Sequence, residues 1–121
     1  MSEQESLFSA ELVQETLELL GDTENYKKGA NEVTKAITRT ARQDSRYDPV
    51  KLVIIAEDVD PPEVTYHMTG QAKAANVPYV LVPSQDELGA TIGIKRTSAV
   101  AVFDESAFSK VIANAAEIVG L

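Results

Sequence analysis

The sequence predicts an α/β protein, a three-layer α/β/α sandwich around a small, mostly buried mixed sheet of about four strands. Two observations indicate this fold class. Stretches with the apolar spacing of amphipathic helices alternate with short apolar runs along the chain, and a continuous apolar run is typical of a strand covered on both faces. The 121 residues, of which 44% are apolar, suit one domain, 1–121, with its own core.

The first predicted helix begins after Ser9, whose hydroxyl can accept a hydrogen bond from a backbone N–H of the first turn. Its apolar residues form one stripe that runs to about Leu20, and Gly21 is expected to end it. A short extended piece at 26–28 follows. Gly29 is expected to end that extended piece.

A second helix is predicted from Ala30, because Val33 and Ile37 follow the apolar spacing of a helix. The polar segment 43–49 is expected to be a loop. The run at 52–56 is apolar at every position and predicts a strand that is buried on both faces.

The second half of the chain continues the alternation. Prolines and acidic residues are favourable in a first helical turn, as in Asp60-Pro61-Pro62-Glu63. Ser84 and Glu87 have the spacing of a capping box. The expected elements are a helix from Asp60 to Ala75, a buried strand at 79–82, a short helix from Ser84 to about Gly93, a buried strand at 98–103 and a helix at 106–119.

The charge is distributed unevenly. The chain carries 19 acidic and 11 basic residues, a net charge of −8, and taken as a total this disfavours a nucleic-acid partner. Residues 1–26, however, carry seven acids and no base, whereas residues 27–51 carry seven bases and three acids. This basic segment, 27–51, keeps a local anion-binding face available.

Several classes of site are excluded by composition. The chain has no cysteine, which excludes disulfides, thiolate zinc sites and thiol catalysis. No apolar run approaches the roughly 20 residues of a membrane-spanning helix, and the acidic N-terminus at 1–5 lacks the features of a signal peptide. No glycine-rich phosphate loop occurs, and His67, the only histidine, is expected to be structural. We expect a cytoplasmic protein that is not an enzyme and binds no cofactor.

One acidic cluster keeps an enzymatic alternative open. Glu57, Asp58 and Asp60 follow a predicted buried strand, at the position where open α/β sheets often place active sites. Carboxylates are suitable ligands for Mg²⁺, so the alternative is a small magnesium-dependent hydrolase. The other interpretation is a solvated loop whose acids precede a helix.

The segment at 27–35 predicts a binding face. Its glycine lets the backbone approach a ligand closely, and a helix N-terminus suits phosphate. Asn31, Glu32 and Lys35 share one face of the predicted helix. An amide, a carboxylate and an ammonium group together match the donors and acceptors of base edges. The alternative is an ordinary solvated face with a Glu–Lys pair.

These residues also resemble a known family. The segment Lys28-Gly29-Ala30-Asn31-Glu32-Val33-Thr34-Lys35 is similar to the signature of the L-seven-Ae family, the kink-turn RNA-binding proteins of the archaeal large ribosomal subunit and of box C/D ribonucleoproteins. Three further blocks match in the right order. They are Ile55-Ala56-Glu57-Asp58-Val59-Asp60-Pro61-Pro62-Glu63-Val64, Asn76-Val77-Pro78-Tyr79 and Leu88-Gly89-Ala90-Thr91-Ile92-Gly93.

The resemblance implies a set of RNA-binding residues. They are Lys27, Lys28, Gly29, Ala30, Asn31, Glu32, Lys35, Asp60, Val64, Ile94, Lys95 and Arg96. The three polar residues of the helix face would read the guanines of tandem sheared G·A pairs, and the segment before them would hold adjacent phosphates. The residues at 60 and 64 would accept a flipped-out bulge nucleotide, and the loop at 94–96 would close over it.

The function that the resemblance implies is structural. The protein would hold kink-turn RNA in its bent form as a ribosomal component and as a core protein of box C/D particles, with H/ACA and ribonuclease P particles as further candidates. Its partners would be ribosomal RNA, box C/D guide RNA and other ribonucleoprotein core proteins. Free of RNA it is expected to be a monomer without metal.

Overall fold

The computed structural model describes residues 7–121, so the acidic stretch at 1–5 lies outside the described residues. Helices and strands alternate along the described chain, as the sequence predicts. The elements are α1 Ala10–Asp22, β1 Tyr26–Lys28, α2 Ala30–Ala41, β2 Leu52–Ala56, α3 Glu63–Ala74, β3 Tyr79–Val82, α4 Gln85–Thr91, β4 Ala99–Val102 and α5 Ser109–Val119.

The four strands form one mixed sheet in the order β1-β4-β2-β3. β2 and β3 are parallel, whereas β4 is antiparallel to both of its neighbours, β1 and β2. Lys28 lies opposite Val100, and Ile55 lies opposite Ala99. The carboxyl ends of β1, β2 and β3 and the start of β4 therefore lie at the same edge of the sheet.

Helices cover both faces of the sheet, which confirms the three-layer sandwich. Side chains alternate between the two faces along a strand, and β2 shows this directly. Leu52 and Ile54 pack into the cluster formed with α1, α4 and α5. Val53 and Ile55 pack into a second cluster with α2 and α3. The layers are α2 and α3, the sheet, and then α1, α4 and α5.

Two caps and two buried strands are confirmed. The Ser9 hydroxyl accepts from the Leu12 N–H at 3.1 Å, and the Ser84 hydroxyl accepts from the Glu87 N–H at 3.1 Å. Every residue of β2 and β4 is buried. The prediction of full burial is wrong for β3, however, because β3 lies at the end of the sheet and its alternate residues are only half-buried.

The predicted end of the first helix is also wrong. α1 continues through Gly21 to Asp22, and Thr23 caps it with a backbone N–H donated to the Leu20 carbonyl at 3.4 Å. Gly21 lies beside α4, where an added Cβ would be 3.8 Å from Thr91. Packing of the last turn against α4 therefore extends the helix past the glycine.

The bounds of several other elements differ from the prediction. Pro61 and Pro62 precede α3, which begins at Glu63 and ends at Ala74. β4 is shorter than 98–103 by one residue at each end. α5 begins at Ser109 because the Asp104 carboxylate accepts from the Ala107 N–H at 3.2 Å and holds the preceding residues in turns.

Within residues 7–121, none of the helices has both the length and the apolar character needed to cross a membrane.

Candidate nucleic-acid interface

Three of the segments named by the sequence meet at one edge of the sheet. The Gly29 N–H donates to the Ala99 carbonyl at 2.9 Å, which joins the start of α2 to the start of β4. The Ala56 N–H donates to the Ser98 carbonyl at 2.9 Å, which joins the end of β2 to the same point. We call the segments 29–35, 57–64 and 93–98 together the loop edge.

Gly29 sets the direction in which α2 starts. Its φ is +92°, a conformation that favours glycine. An added Cβ would meet nothing within 4 Å. Glycine is therefore favoured here by the positive φ angle and not by crowding from neighbouring atoms. No side chain caps the first turn of α2, which leaves that turn open to an anion.

The polar and apolar faces of α2 separate as the sequence predicts. Val33 and Ile37 are buried in the cluster under the helix, whereas Asn31, Glu32 and Lys35 are exposed. The Lys35 ammonium lies 3.7 Å from a Glu32 carboxylate oxygen, and about half of each side chain remains accessible. The three groups can therefore face a ligand without any change in the helix. Ala30 is half-buried against the same cluster.

The two lysines of β1 do not lie on one face. Lys27 pairs with Ala101 and Lys28 with Val100, and successive residues of a strand point to opposite faces. Lys27 therefore lies on the side of α2, and Lys28 on the side of α1, α4 and α5. Both are exposed, so they could contact phosphates on two sides of this sheet end.

The connection between β2 and α3 is tied to α4. The Asp58 carboxylate accepts from the Gln85 N–H at 2.9 Å. Asp60 is exposed, and Val64 is half-buried where the two apolar clusters meet. The connection thus presents the Asp60 carboxylate and the Val64 side chain at the loop edge, among other exposed acidic residues.

The acidic cluster gives the hydrolase alternative no support. Among the described residues, no group of three or more histidine, cysteine or acidic side chains is placed to hold a metal ion. Asp58 is engaged with the backbone of α4, while Glu57 and Asp60 are exposed. His67 is likewise an exposed residue of α3.

The segment 93–98 is held against α4 by Asp86 and Gly89, whose roles the sequence did not reveal. Arg96 donates from Nε to an Asp86 carboxylate oxygen at 3.1 Å, and its Nη2 forms an ion pair with the same oxygen at 3.1 Å. The Arg96 backbone also lies directly against Gly89, where an added Cβ would be 2.6 Å from the Arg96 nitrogen. The Ile94 N–H donates to the Gly89 carbonyl at 2.9 Å. Lys95 remains exposed beside the half-buried Ile94.

The far end of the basic segment forms a compact cluster that the sequence reasoning missed. The Arg39 guanidinium lies 4.0 Å from the centroid of the Tyr47 ring. Arg46 donates to both carboxylate oxygens of Asp44 at 2.9–3.0 Å. This pairing lowers the pKa of Asp44 to about 2 from its ordinary 3.8. The cluster consists of Arg39, Asp44, Arg46 and Tyr47, and its only sequence signal is the density of basic and aromatic residues at 39–47.

A family comparison agrees with the fold and with the resemblance of the motifs. The model of the ribosomal protein L7Ae/L30e/S12e/Gadd45 family matches residues 11–112. This range begins in α1 and ends in α5, so it includes the whole sheet and the entire loop edge. The resemblance noted in the sequence is thereby confirmed for the family, and it supports an RNA-binding protein of ribosomal type. The chain belongs to the ribosomal protein L7Ae/L30e/S12e/Gadd45 family.

Proposed function

We propose that this protein recognises kink-turn RNA and stabilises its bent form, without catalysis. The proposed setting is the archaeal large ribosomal subunit and box C/D ribonucleoproteins, with ribosomal RNA, guide RNA and other core proteins as partners. The proposed location is accordingly the cytoplasmic ribonucleoprotein particles themselves.

The observation that carries this proposal is the convergence of three segments at the loop edge. Gly29 and Ala56 are both bonded to the start of β4, although they are 27 positions apart in the sequence. The exposed polar face of α2 begins at this edge. A distorted RNA could therefore contact base-reading side chains and a closing loop at the same time.

The chemistry of the α2 face suits guanines in sheared pairs. Lys35 can donate to the O6 and N7 acceptors, and the Glu32 carboxylate can accept from base amino groups. Asn31 can donate and accept. Regular A-form helices hide their base edges in a deep, narrow groove, so such a face is useful only where the RNA is distorted.

The remaining residues at the loop edge, and the two lysines of β1 beside it, have complementary roles in the proposal. Lys27, Lys28 and Gly29 contact phosphates beside the bend. Asp60 and Val64 accept the flipped-out bulge nucleotide, with the Ile94–Arg96 loop over it. The supporting observation is that Val64 is only partly buried at this edge, while Arg96 is paired with Asp86 of α4.

Binding to two matched RNAs tests the proposal. One RNA contains tandem sheared G·A pairs beside a three-nucleotide bulge, and the other differs only in having these pairs converted to Watson–Crick pairs. We expect the protein to bind the first RNA far more tightly, because only that RNA presents the guanine edges in the bent form. Equal, weak binding to both RNAs would overturn the proposal.

A further inference from the structure

A pocket of about 200 Å³ lies beside β1, under the C-terminal half of α2. Its lining includes the aromatic residues Tyr47 and Phe103 and the cationic residues Lys27 and Arg39. The pocket is smaller than the roughly 300–1,000 Å³ of sites for drug-sized ligands. Its size suits a single flat ring system and not an extended cofactor.

The pocket is continuous with the α2 face that carries Asn31 and Lys35. Residues four apart on a helix are neighbours on its surface, so Asn31, Lys35 and Arg39 form one stripe along α2. Lys27 lies on the same side of the sheet as α2. An RNA strand that leaves the loop edge along α2 would therefore pass the cationic side chains of Lys35 and Arg39 before it reaches the pocket.

The far wall of the pocket is held in a fixed arrangement. The Thr40 hydroxyl accepts from the Val50 N–H at 2.9 Å and ties the end of the 42–49 loop to α2. The Asp44–Arg46 pair bridges the turn within that loop. Tyr47 is 42% exposed and is stacked by Arg39 at 4.0 Å, so one wall of the pocket is a preformed aromatic and guanidinium surface.

This lining has the chemistry of a site for one unpaired nucleotide. Unstacked bases in RNA complexes pack on aromatic rings and on arginine guanidinium planes. The ammonium of Lys27 at the wall suits the phosphate of the same nucleotide. Asn25 and Asp48, also at the wall, offer an amide and a carboxylate to the edge of a base.

We propose that this pocket binds the base of one unpaired nucleotide that flanks the kink in the bound RNA, a site distinct from the one for the bulge nucleotide. The inference rests on the proposed function. It extends the RNA footprint from the loop edge to the far end of the basic segment, where Arg39 and Tyr47 otherwise have no role in binding.

The site is tested by measuring the affinity for RNAs that carry one extra unpaired nucleotide at different positions. The kink-turn RNA is made in a series in which one extra unpaired uridine stands at successive positions outward from the kink on each strand. Each RNA is compared with a twin whose extra residue is abasic. At one position at least, the base should raise the affinity about fivefold or more over the abasic twin, as expected for stacking of one base.

Two protein variants assign that gain to the pocket. Tyr47→Leu should abolish the difference between base and abasic RNA and leave the affinity for the unmodified kink-turn RNA unchanged. Tyr47→Phe, which keeps the ring, should retain the difference. Arg39→Gln should reduce it, while Lys110→Gln on the opposite helical layer should not.

The outcomes separate the two proposals. If the unmodified kink-turn RNA is bound but no position shows a gain from the base, the pocket does not bind a nucleotide. A gain that survives in Tyr47→Leu places the base elsewhere and equally overturns the inference. Failure to bind the unmodified RNA selectively would instead contradict the proposed function.

Discussion

Glu32 and Lys35 lie one turn apart on α2, with their charged atoms 3.7 Å apart and half of each side chain exposed. An exposed pair of this kind contributes little to stability, and on a helix surface a few tenths of a kcal/mol is typical. Either group can therefore turn from its neighbour to RNA at small cost. Loss of either group should change binding much more than folding.

Glu32→Ala and Lys35→Ala should each weaken binding to the intact kink-turn RNA by about 1–3 kcal/mol, the usual range for a base-edge contact. Fluorescence anisotropy titration measures the change, and thermal unfolding verifies that stability is nearly unaltered. Lys110→Ala is the matched control, because Lys110 is exposed on α5 in the opposite helical layer. If both α2 variants bind like the wild type, the reading face is wrongly assigned.

Asp44 provides a prediction for pH. Its hydrogen bonds with Arg46 lower its pKa to about 2 in the folded protein, against 3.8 for the unpaired group. Because the pKa of Asp44 is lower in the folded than in the unfolded protein, the ionised carboxylate stabilises the fold at pH values above the unfolded-state pKa. This contribution is lost as the pH falls from 3.8 towards 2. NMR titration of Asp44 should give a midpoint near 2.

Arg46→Gln should move the Asp44 midpoint back towards 3.8, because the variant removes the charged hydrogen-bond donor. A midpoint that is the same in both proteins would show that Arg46 does not hold the carboxylate.

At the scale of elements, the loop at 93–98 depends on how closely α4 approaches it. Gly89 lies within α4 and is buried, and its missing side chain is what lets the Arg96 backbone pack against the helix. The Asp86–Arg96 pair adds an exposed contact at the same place. The helix thus serves as a support that fixes the loop before any RNA binds.

Gly89→Ala should destabilise the protein by about 1–3 kcal/mol, the usual cost of forcing an extra group into a packed site. Gly70→Ala is the matched control, because Gly70 is an exposed residue of α3 with nothing within 4 Å of an added Cβ. That control should gain about 0.4–1 kcal/mol. Chemical denaturation measures both, and equal effects of the two substitutions would contradict the close approach.

Most helices and strands could be predicted from the local spacing of apolar residues, but their burial and their contacts with distant segments could not all be predicted in this way. The apolar runs of β2 and β4 report full burial because both strands are interior in the sheet. β3 has a similar apolar run but lies at an edge of the sheet, so it is only partly buried. The apolar run could not show this, because the order of the strands depends on pairing between segments that are distant in the sequence. Local spacing likewise reveals the polar face of α2. It does not reveal that Asp86 and Arg96 pair across a turn.

For the whole molecule, the distribution of charged residues along the chain says more about RNA binding than the net charge does. The net charge of −8 opposes general association with a polyanion. The bases at 27–51 are gathered on β1, α2 and the following loop, and Lys95 and Arg96 stand at the loop edge. The acidic remainder of the chain should suppress nonspecific RNA binding and so favour a preshaped RNA that reaches these bases.

The central claim is that the protein stabilises a bend, and the end-to-end distance of the RNA tests it most directly. A kink-turn RNA labelled with a donor and an acceptor on its two helix ends is titrated with protein, in a buffer without divalent ions in which the free RNA is first verified to give low energy transfer. Because a protein that binds only the kinked form shifts the population towards it, energy transfer should rise to saturation together with binding. The RNA with Watson–Crick pairs in place of G·A pairs should show no rise. Saturated binding of the intact RNA with energy transfer unchanged would contradict the account.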